Sequence, residues 1–313
     1  MSDINGYKTG GFILYIKYYI TNRIKCQSYT RKKRAKRRIF YPKFSEKPFW
    51  ELTFLRKRGI IKYVMKAYEH MKEFQIKYCD ADFKDEIKTS VALALLEEVA
   101  CSSADELGFG YAFVKPKGYA FMVTNICMEF YRPARLGETV ALKTWPNPPS
   151  FAIFGREYQM LSKSGELLLN ASSRWCLVDM KTGKILPSKA IDNQDYSTYN
   201  TSRVFENVQW KIPAFKREDG ELKFTVTIAN SEYDHNMHVN NTRYADYCLN
   251  CFSVEELATR KLKQFSISYV KQCREGDVLQ FYRKREEDGS YLAHGFNEAG
   301  ELVVQSRITF AGE

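Results

Sequence analysis

The sequence predicts an α+β fold made twice over, each copy an antiparallel sheet wrapped around a long helix. Three observations predict it. A strand, a long helix and a run of strands follow one another after Glu73, and the same order restarts at Lys223. Two pairs of segments match at the same relative places: M-E-F-Y-R-P-A-R-L-G-E (Met128–Glu138) with I-S-Y-V-K-Q-C-R-E-G-D (Ile267–Asp277), and G-E-L-L-L-N-A-S-S-R (Gly165–Arg174) with G-E-L-V-V-Q-S-R (Gly300–Arg307). Between the copies, residues 181–223 are polar and turn-rich, with Pro187 and Pro213, which reads as a surface connection. The expected division is a basic, non-essential N-terminal extension over 1–71, a first unit over 72–190, a linker over 191–222 and a second unit over 223–313.

The elements follow in order. Gly11–Ile24 is apolar but interrupted by Lys17 and too short to span a bilayer. Arg31–Arg38 (R-K-K-R-A-K-R-R) is a dense basic run. Residues 1–64 hold 17 Lys and Arg against 3 Asp and Glu, whereas the remainder holds 31 against 34, so the formal charge of +11 belongs to the N-terminal segment. Such runs are usually solvated, and contact with a membrane surface is the alternative. Nucleic-acid binding would rest on this tail alone and is not expected. Met65 and Met71 are alternative starts. Glu73–Cys79 alternates, with Phe74, Ile76 and Tyr78 on one face, as a strand does. Thr89 or Ser90 caps a helix that runs to about Leu107 and stops at Gly108. Strands are expected over Phe121–Tyr131, Thr139–Trp145, Phe151–Ser162 and Leu167–Val178. The second copy gives a strand at Phe224–Ile228, a helix from Asn240 to about Leu257, and strands at Lys263–Lys271, Val278–Arg285, Tyr291–Asn297 and Leu302–Ala311.

The chemistry concentrates in Tyr233–Phe252, Y-D-H-N-M-H-V-N-N-T-R-Y-A-D-Y-C-L-N-C-F. Asp234, Asn236 and His238 alternate, so an extended loop would put all three on one side. Asn240 and Asn241 suit a helix N-cap and loop support. The helix start offers N–H groups and a positive dipole end to charge developing on an oxygen. His238 can take a proton near neutral pH, and Asn236 can donate to an oxyanion. Asp234 either orients His238 or attacks as a nucleophile. His235 is expected to point the other way. Cys248 and Cys251 form a C-x-x-C inside a helix with no second ligand pair, which reads as packing. Eight cysteines without a convincing signal peptide fit a reducing, cytoplasmic location.

The string D-x-N-x-H-x-N-N-x-x-Y, Asp234 to Tyr244, resembles the catalytic segment of the fatty acyl-acyl carrier protein thioesterases of plants and bacteria. Lys88–Cys101 resembles their first long helix, and Ser172–Asp179 a strand of their first half; the likeness runs from about Lys72 to the C-terminus. The resemblance implies a tandem, or double, hot-dog fold. The second half would carry the catalytic residues and the first, with Asp82, Lys84 and Glu86 opposite Asp234, Asn236 and His238, would shape an acyl pocket. It implies hydrolysis of an acyl-acyl carrier protein thioester, with no metal or dissociable cofactor. Gln272 stands where plant members have a catalytic Glu. Cys273 matches a family Cys that could complete a Cys/His/Asn set. An acidic carrier protein needs a basic contact, for which Arg132, Arg135, Lys271 and Arg274 are candidates. The chain is expected to be a monomer or a homodimer. Hydrolysis of acyl-coenzyme A, or acyl binding without hydrolysis, are the alternatives.

Overall fold

The structure, a computed structural model, describes residues 67–191 and 196–312, preceded by strands β1 (Leu52–Lys57) and β2 (Ile60–Met65), which pair antiparallel. The basic run Arg31–Arg38 lies outside the described residues.

The first copy comprises β3 (His70–Gln75), helix α1 (Thr89–Glu106), the short α2 (Tyr111–Val114), β4 (Tyr119–Phe130), β5 (Thr139–Pro146), β6 (Phe154–Ser162) and β7 (Leu167–Asp179), with β8 (Ile185–Leu186) on β7. The second comprises β9 (Glu221–Thr227), α3 (Asn241–Leu249), α4 (Val254–Thr259), β10 (Leu262–Tyr269), β11 (Val278–Arg285), β12 (Tyr291–Asn297) and β13 (Leu302–Phe310). All ten main strands form one antiparallel sheet in the order β3-β5-β6-β7-β4-β10-β13-β12-β11-β9. The order is symmetric about the β4–β10 pair. In the matched segments Met128 aligns with Ile267, and hence Cys127 with Ser266. In the sheet Cys127 lies opposite Ser266, Met128 opposite Phe265 and Ile126 opposite Ile267. Each strand therefore meets its own counterpart, and a pseudo-two-fold axis passes between Cys127 and Ser266, whose hydroxyl reaches the sulfur at 3.3 Å. This is the double hot-dog fold.

Helix α1 buries Ala92, Leu93, Leu96, Val99, Ala100 and Ser103, a three-and-four spacing whose small members let the helix lie close against the sheet. Lys88 occupies its N-cap position, so Thr89 and Ser90 are its first residues and not its caps. Leu107 closes it, and Gly108 follows at φ +81°, a left-handed conformation that favours glycine. In the second copy Asn240 caps α3 by accepting from the Thr242 N–H at 2.9 Å. Leu93, Leu96, Met128, Tyr244, Phe265 and Phe281 belong to one buried cluster, so the two copies share a core. Burial of each such side chain is worth about 1.5–3 kcal/mol.

Four expectations change. The first strand begins at His70, not Glu73, and the chain turns into a single 3-10 turn at Tyr78–Asp80, leaving Tyr78 88% exposed. Tyr68 is fully buried, with its hydroxyl 3.0 Å from both Ser103 Oγ and a Glu106 carboxylate oxygen; a boundary between 71 and 72 falls inside β3. The linker is packed, not superficial: Ile191, Tyr199, Ile212 and Phe215 are buried, and Phe215 stacks on His294 at 4.4 Å. The helix expected to reach Leu257 is two helices. Ser253 starts α4 by accepting from the Glu256 N–H, while Glu256 accepts from the Ser253 N–H.

Candidate active site

The loop before α3 is a tight turn closed by its own backbone. Tyr233 bridges Val239, the Asp234 N–H donates to the His238 carbonyl at 2.8 Å, and Met237 N–H donates to the Asp234 carbonyl at 3.1 Å. Asp234 Oδ1 accepts from the N–H groups of Asn236 (2.8 Å) and His238 (3.2 Å). Met237 sits at φ +60°, an uncommon left-handed conformation for a side chain of its size, and interrupts the alternation expected of an extended segment.

The first copy holds the same turn. Asp82 Oδ1 accepts from Lys84 N–H (2.8 Å) and Glu86 N–H (3.2 Å), Asp82 N–H donates to the Glu86 carbonyl (2.7 Å), and Asp85 stands at φ +57°. Asp82 has neither amide nor imidazole in the matching positions to assist. The shared task of Asp82 and Asp234 is therefore to shape the loop, as Asx-turns do.

The turn delivers Asn236 and His235 to a cavity of about 400 Å³, a size typical of small-ligand sites. The first copy and the connection after it build the rest. Ala100, Cys101 and Ala104 come from α1, Phe109 and Tyr111 from the segment after it, and Phe121, Phe154 and Trp175 from the sheet. The lining is largely apolar and aromatic. His235 meets the Tyr111 ring at 5.4 Å between centroids, edge to face. His235, set aside in the sequence, is thus at the cavity, whereas His238 is not among its lining residues and takes part in the turn through its backbone.

A carboxylate also lines this cavity. Glu97 projects from α1 beside the Asn236 loop, with the Asn241 amide placed to donate to it. Burial, and then the charge of Asp234, hold its carboxyl above the usual range. Its signal in the sequence is a charge inside an apolar stripe. Leu93, Leu96, Ala100 and Ala104 form an apolar stripe, and Glu97 falls within it.

The remaining candidates lie elsewhere. Gln272 is exposed and does not line the cavity. Cys273 is 3% exposed against Tyr244, and burial pushes its thiol pKa up, which keeps it protonated and unreactive. Arg132 is held by Glu138 and Glu166 at 2.9 and 2.8 Å, and Lys271 is paired with Glu301. Arg135 and Arg274 are exposed. At the cavity itself, Lys115 lies over the Tyr111 ring at 4.8 Å; two residues on, outside the lining, Lys117 lies over Phe113 at 3.8 Å. Among the described residues, no group of three or more His, Cys, Asp or Glu is placed to hold a metal ion.

Tandem hot-dog copies joined in one sheet, with a polar loop facing a largely apolar cavity, define a double hot-dog protein. Residues 67–190 match the model of the acyl-ACP thioesterase N-terminal domain, and residues 215–312 that of the acyl-ACP thioesterase C-terminal domain. The chain belongs to the acyl-ACP thioesterase family. The fold is similar to that of a 12:0-ACP thioesterase from Umbellularia californica (TM-score 0.70, 15% identity, 77% of this chain and 96% of that one). It is also similar to an acyl-ACP thioesterase from Bacteroides thetaiotaomicron (TM-score 0.68, 21% identity, 77% and 97%). A chloroplastic acyl-[acyl-carrier-protein] hydrolase of Cuphea viscosissima is 25% identical over 164 residues, which are 51% of this chain and 40% of that relative. The chain spans under half the length of three of the curated relatives that it matches. The expected cytoplasmic location is overturned, because the curated relatives are chloroplastic proteins.

Proposed function

We propose that the protein is a thioesterase that hydrolyses fatty acyl groups from acyl carrier protein, releasing free fatty acid and the carrier thiol. The observation that carries this reading is Asn236 on the wall of the apolar cavity, presented by a turn that Asp234 holds shut. The acyl chain lies among the aromatic residues of the first copy, and the thioester carbonyl stops at the loop. The Asn236 amide donates to the carbonyl oxygen as it becomes an oxyanion. His238 belongs to the same loop, and its backbone N–H, donating to Asp234 Oδ1, ties the loop's shape to both residues.

The carrier is acidic, so it meets Lys115, which lines the cavity, and the nearby Lys117 in place of the ion-paired Arg132 and Lys271. Both lysines are exposed, and neither makes an ion pair with another described residue. Since β4 and β10 already join the two copies in one chain, a monomer contains every element of the site. The test is turnover by the purified full chain of acyl-carrier thioesters of several chain lengths beside the matching coenzyme A thioesters. Release of fatty acid, faster from the carrier protein, is expected. Faster release from coenzyme A would overturn the carrier assignment, and fatty-acid binding with no hydrolysis of either would overturn the enzymatic one.

A further inference from the structure

We propose that Glu97 is the acid–base residue of this site: it takes the proton of the attacking water and returns it to the departing sulfur. This rests on the thioesterase reading and names a catalytic group that lies outside the Asp/Asn/His loop. In the first step a water oxygen bonds to the thioester carbon, one of its protons passes to the Glu97 carboxylate, and the carbonyl electron pair moves onto oxygen facing Asn236. In the second step that pair re-forms the carbonyl, the carbon–sulfur bond breaks with its electrons leaving on sulfur, and Glu97 delivers its proton there. One water is consumed, a fatty acid and a thiol leave, and the carboxylate is restored.

Three observations converge on Glu97. The first is position: it lines the same cavity as Asn236 and His235, reaching it from the opposite copy of the fold. The second is the placement of the other candidates. Asp234 is committed to the turn as Asp82 is in the first copy, His238 is not among the lining residues, Gln272 is an exposed amide and the Cys273 thiol is buried, which leaves Glu97 as the cavity's carboxylate, beside His235. The third is the pseudo-symmetry, which supplies a control within the molecule. A second cavity is lined by the Asp82 loop and α3, the mirror of the Asp234 loop and α1. Glu97 is the ninth residue of α1, and its counterpart, the ninth of α3, is Leu249. In that second cavity Leu249, Lys84 and Phe83 stand where the first has Glu97, Asn236 and His235. At these three matched positions carboxylate, amide and imidazole stand together in one copy and are replaced together in the other, whose cavity carries its carboxylates at other places, Asp82, Glu86 and Asp246. A Glu97 kept only to stabilise the helix would have no reason to follow the loop chemistry.

The ionisable groups that face Glu97 are Glu98 and Cys101 on its own helix, Asp234 and His235 on the loop, and Tyr269 on β10. Burial and Asp234 raise its pKa, while Asn241 and His235 oppose them. A base works when ionised. Turnover should therefore be lost as the pH falls through this raised pKa, in a window above that of an ordinary Glu.

The test compares wild type with Glu97→Gln, Glu97→Asp and the control Glu98→Gln, a neighbour that is exposed and paired with Lys72 at 2.6 Å. Turnover of an acyl-carrier thioester is read across pH, and binding of the free fatty acid is read from the fluorescence of Trp175, which lines the cavity. For Glu97→Gln, kcat should fall by about 10²-fold or more, as loss of general acid–base assistance does. Its KM and fatty-acid affinity should stay within about threefold and its acidic limb should vanish, the pattern of a group used in the transition state. Glu97→Asp should recover part of the rate, and Glu98→Gln should match wild type. A Glu97→Gln enzyme within about fivefold of wild type, or one that loses fatty-acid binding along with turnover, overturns the proposal. A wild-type chain that binds fatty acid and hydrolyses no thioester overturns the thioesterase reading, and this assignment with it.

Discussion

At the scale of single residues, the loop separates side chains that build from side chains that react. Asp234 spends its Oδ1 on two backbone N–H groups, and Met237 accepts a left-handed backbone so that Asn236 can face the cavity. Asn236→Ala removes the donor without removing the turn, because the turn uses only the Asn236 N–H. Turnover should drop by about 10²-fold or more at unchanged melting temperature, as for other single oxyanion donors. A loss of under about threefold in steady-state assays would exclude the role. Cys273 gives the opposite expectation. Its thiol is buried on Tyr244 with a raised pKa, so the protonated form persists to higher pH than for a free thiol. Cys273→Ala should keep kcat within about threefold of wild type. Mass spectrometry of the folded protein treated with an alkylating agent should find Cys79, which is exposed, modified well before Cys273. Inactivation that tracks Cys273 modification would restore the Cys/His/Asn alternative.

At the scale of elements, β3 shows why a start at Met71 is poorly chosen. Such a chain lacks His70, the first residue of the strand, and Tyr68, which is fully buried and hydrogen-bonded to Ser103 and Glu106 across α1. Deleting a buried aromatic costs about 3–5 kcal/mol. A chain starting at Met71 should therefore melt well below one starting at Ala67, and Tyr68→Phe in the full chain should cost about 1–2 kcal/mol by denaturant titration. Equal melting of the two truncations would show that Tyr68 contributes nothing. Most elements were legible in the sequence because their signals are local. Val278–Arg285 and Tyr291–Asn297 carry alternation and turn residues at both ends, and the structure returns the same bounds. The split between α3 and α4 was legible too, since S-V-E-E at Ser253–Glu256 is a capping box, but the apolar spacing continued across it. The left-handed Met237 was not, because no local preference of methionine specifies it. Glu97 is marked locally only as a charge inside an apolar stripe; which group it faces depends on the partner loop, about 140 residues away in the chain.

At the scale of the whole molecule, duplication has separated two tasks. Both copies keep the loop, the helix and the sheet. Only one of the two cavities has Glu, Asn and His at the three matched positions, and the sheet that joins the copies through β4 and β10 fixes the loop of one copy against the helix of the other. The same geometry gives the substrate a direction of approach. Lys115 and Lys117 stand beside the cavity that contains Asn236, each over an aromatic ring that holds its stem in place. Surface charges of this kind act on encounter and are screened within about 8–10 Å at ordinary salt. Lys115→Glu with Lys117→Glu should therefore raise KM for an acyl-carrier thioester by about tenfold or more at low salt while leaving kcat nearly unchanged. Added salt should raise the wild-type KM and narrow the difference between the two proteins. A short pantetheine thioester, which carries the same bond without the acidic protein, should be hydrolysed alike by both. If the double variant impairs that small substrate equally, the lysines shape the cavity and do not dock the carrier. If neither substrate responds, the carrier approaches over another face, and exposed Arg135 and Arg274 are the next to reverse.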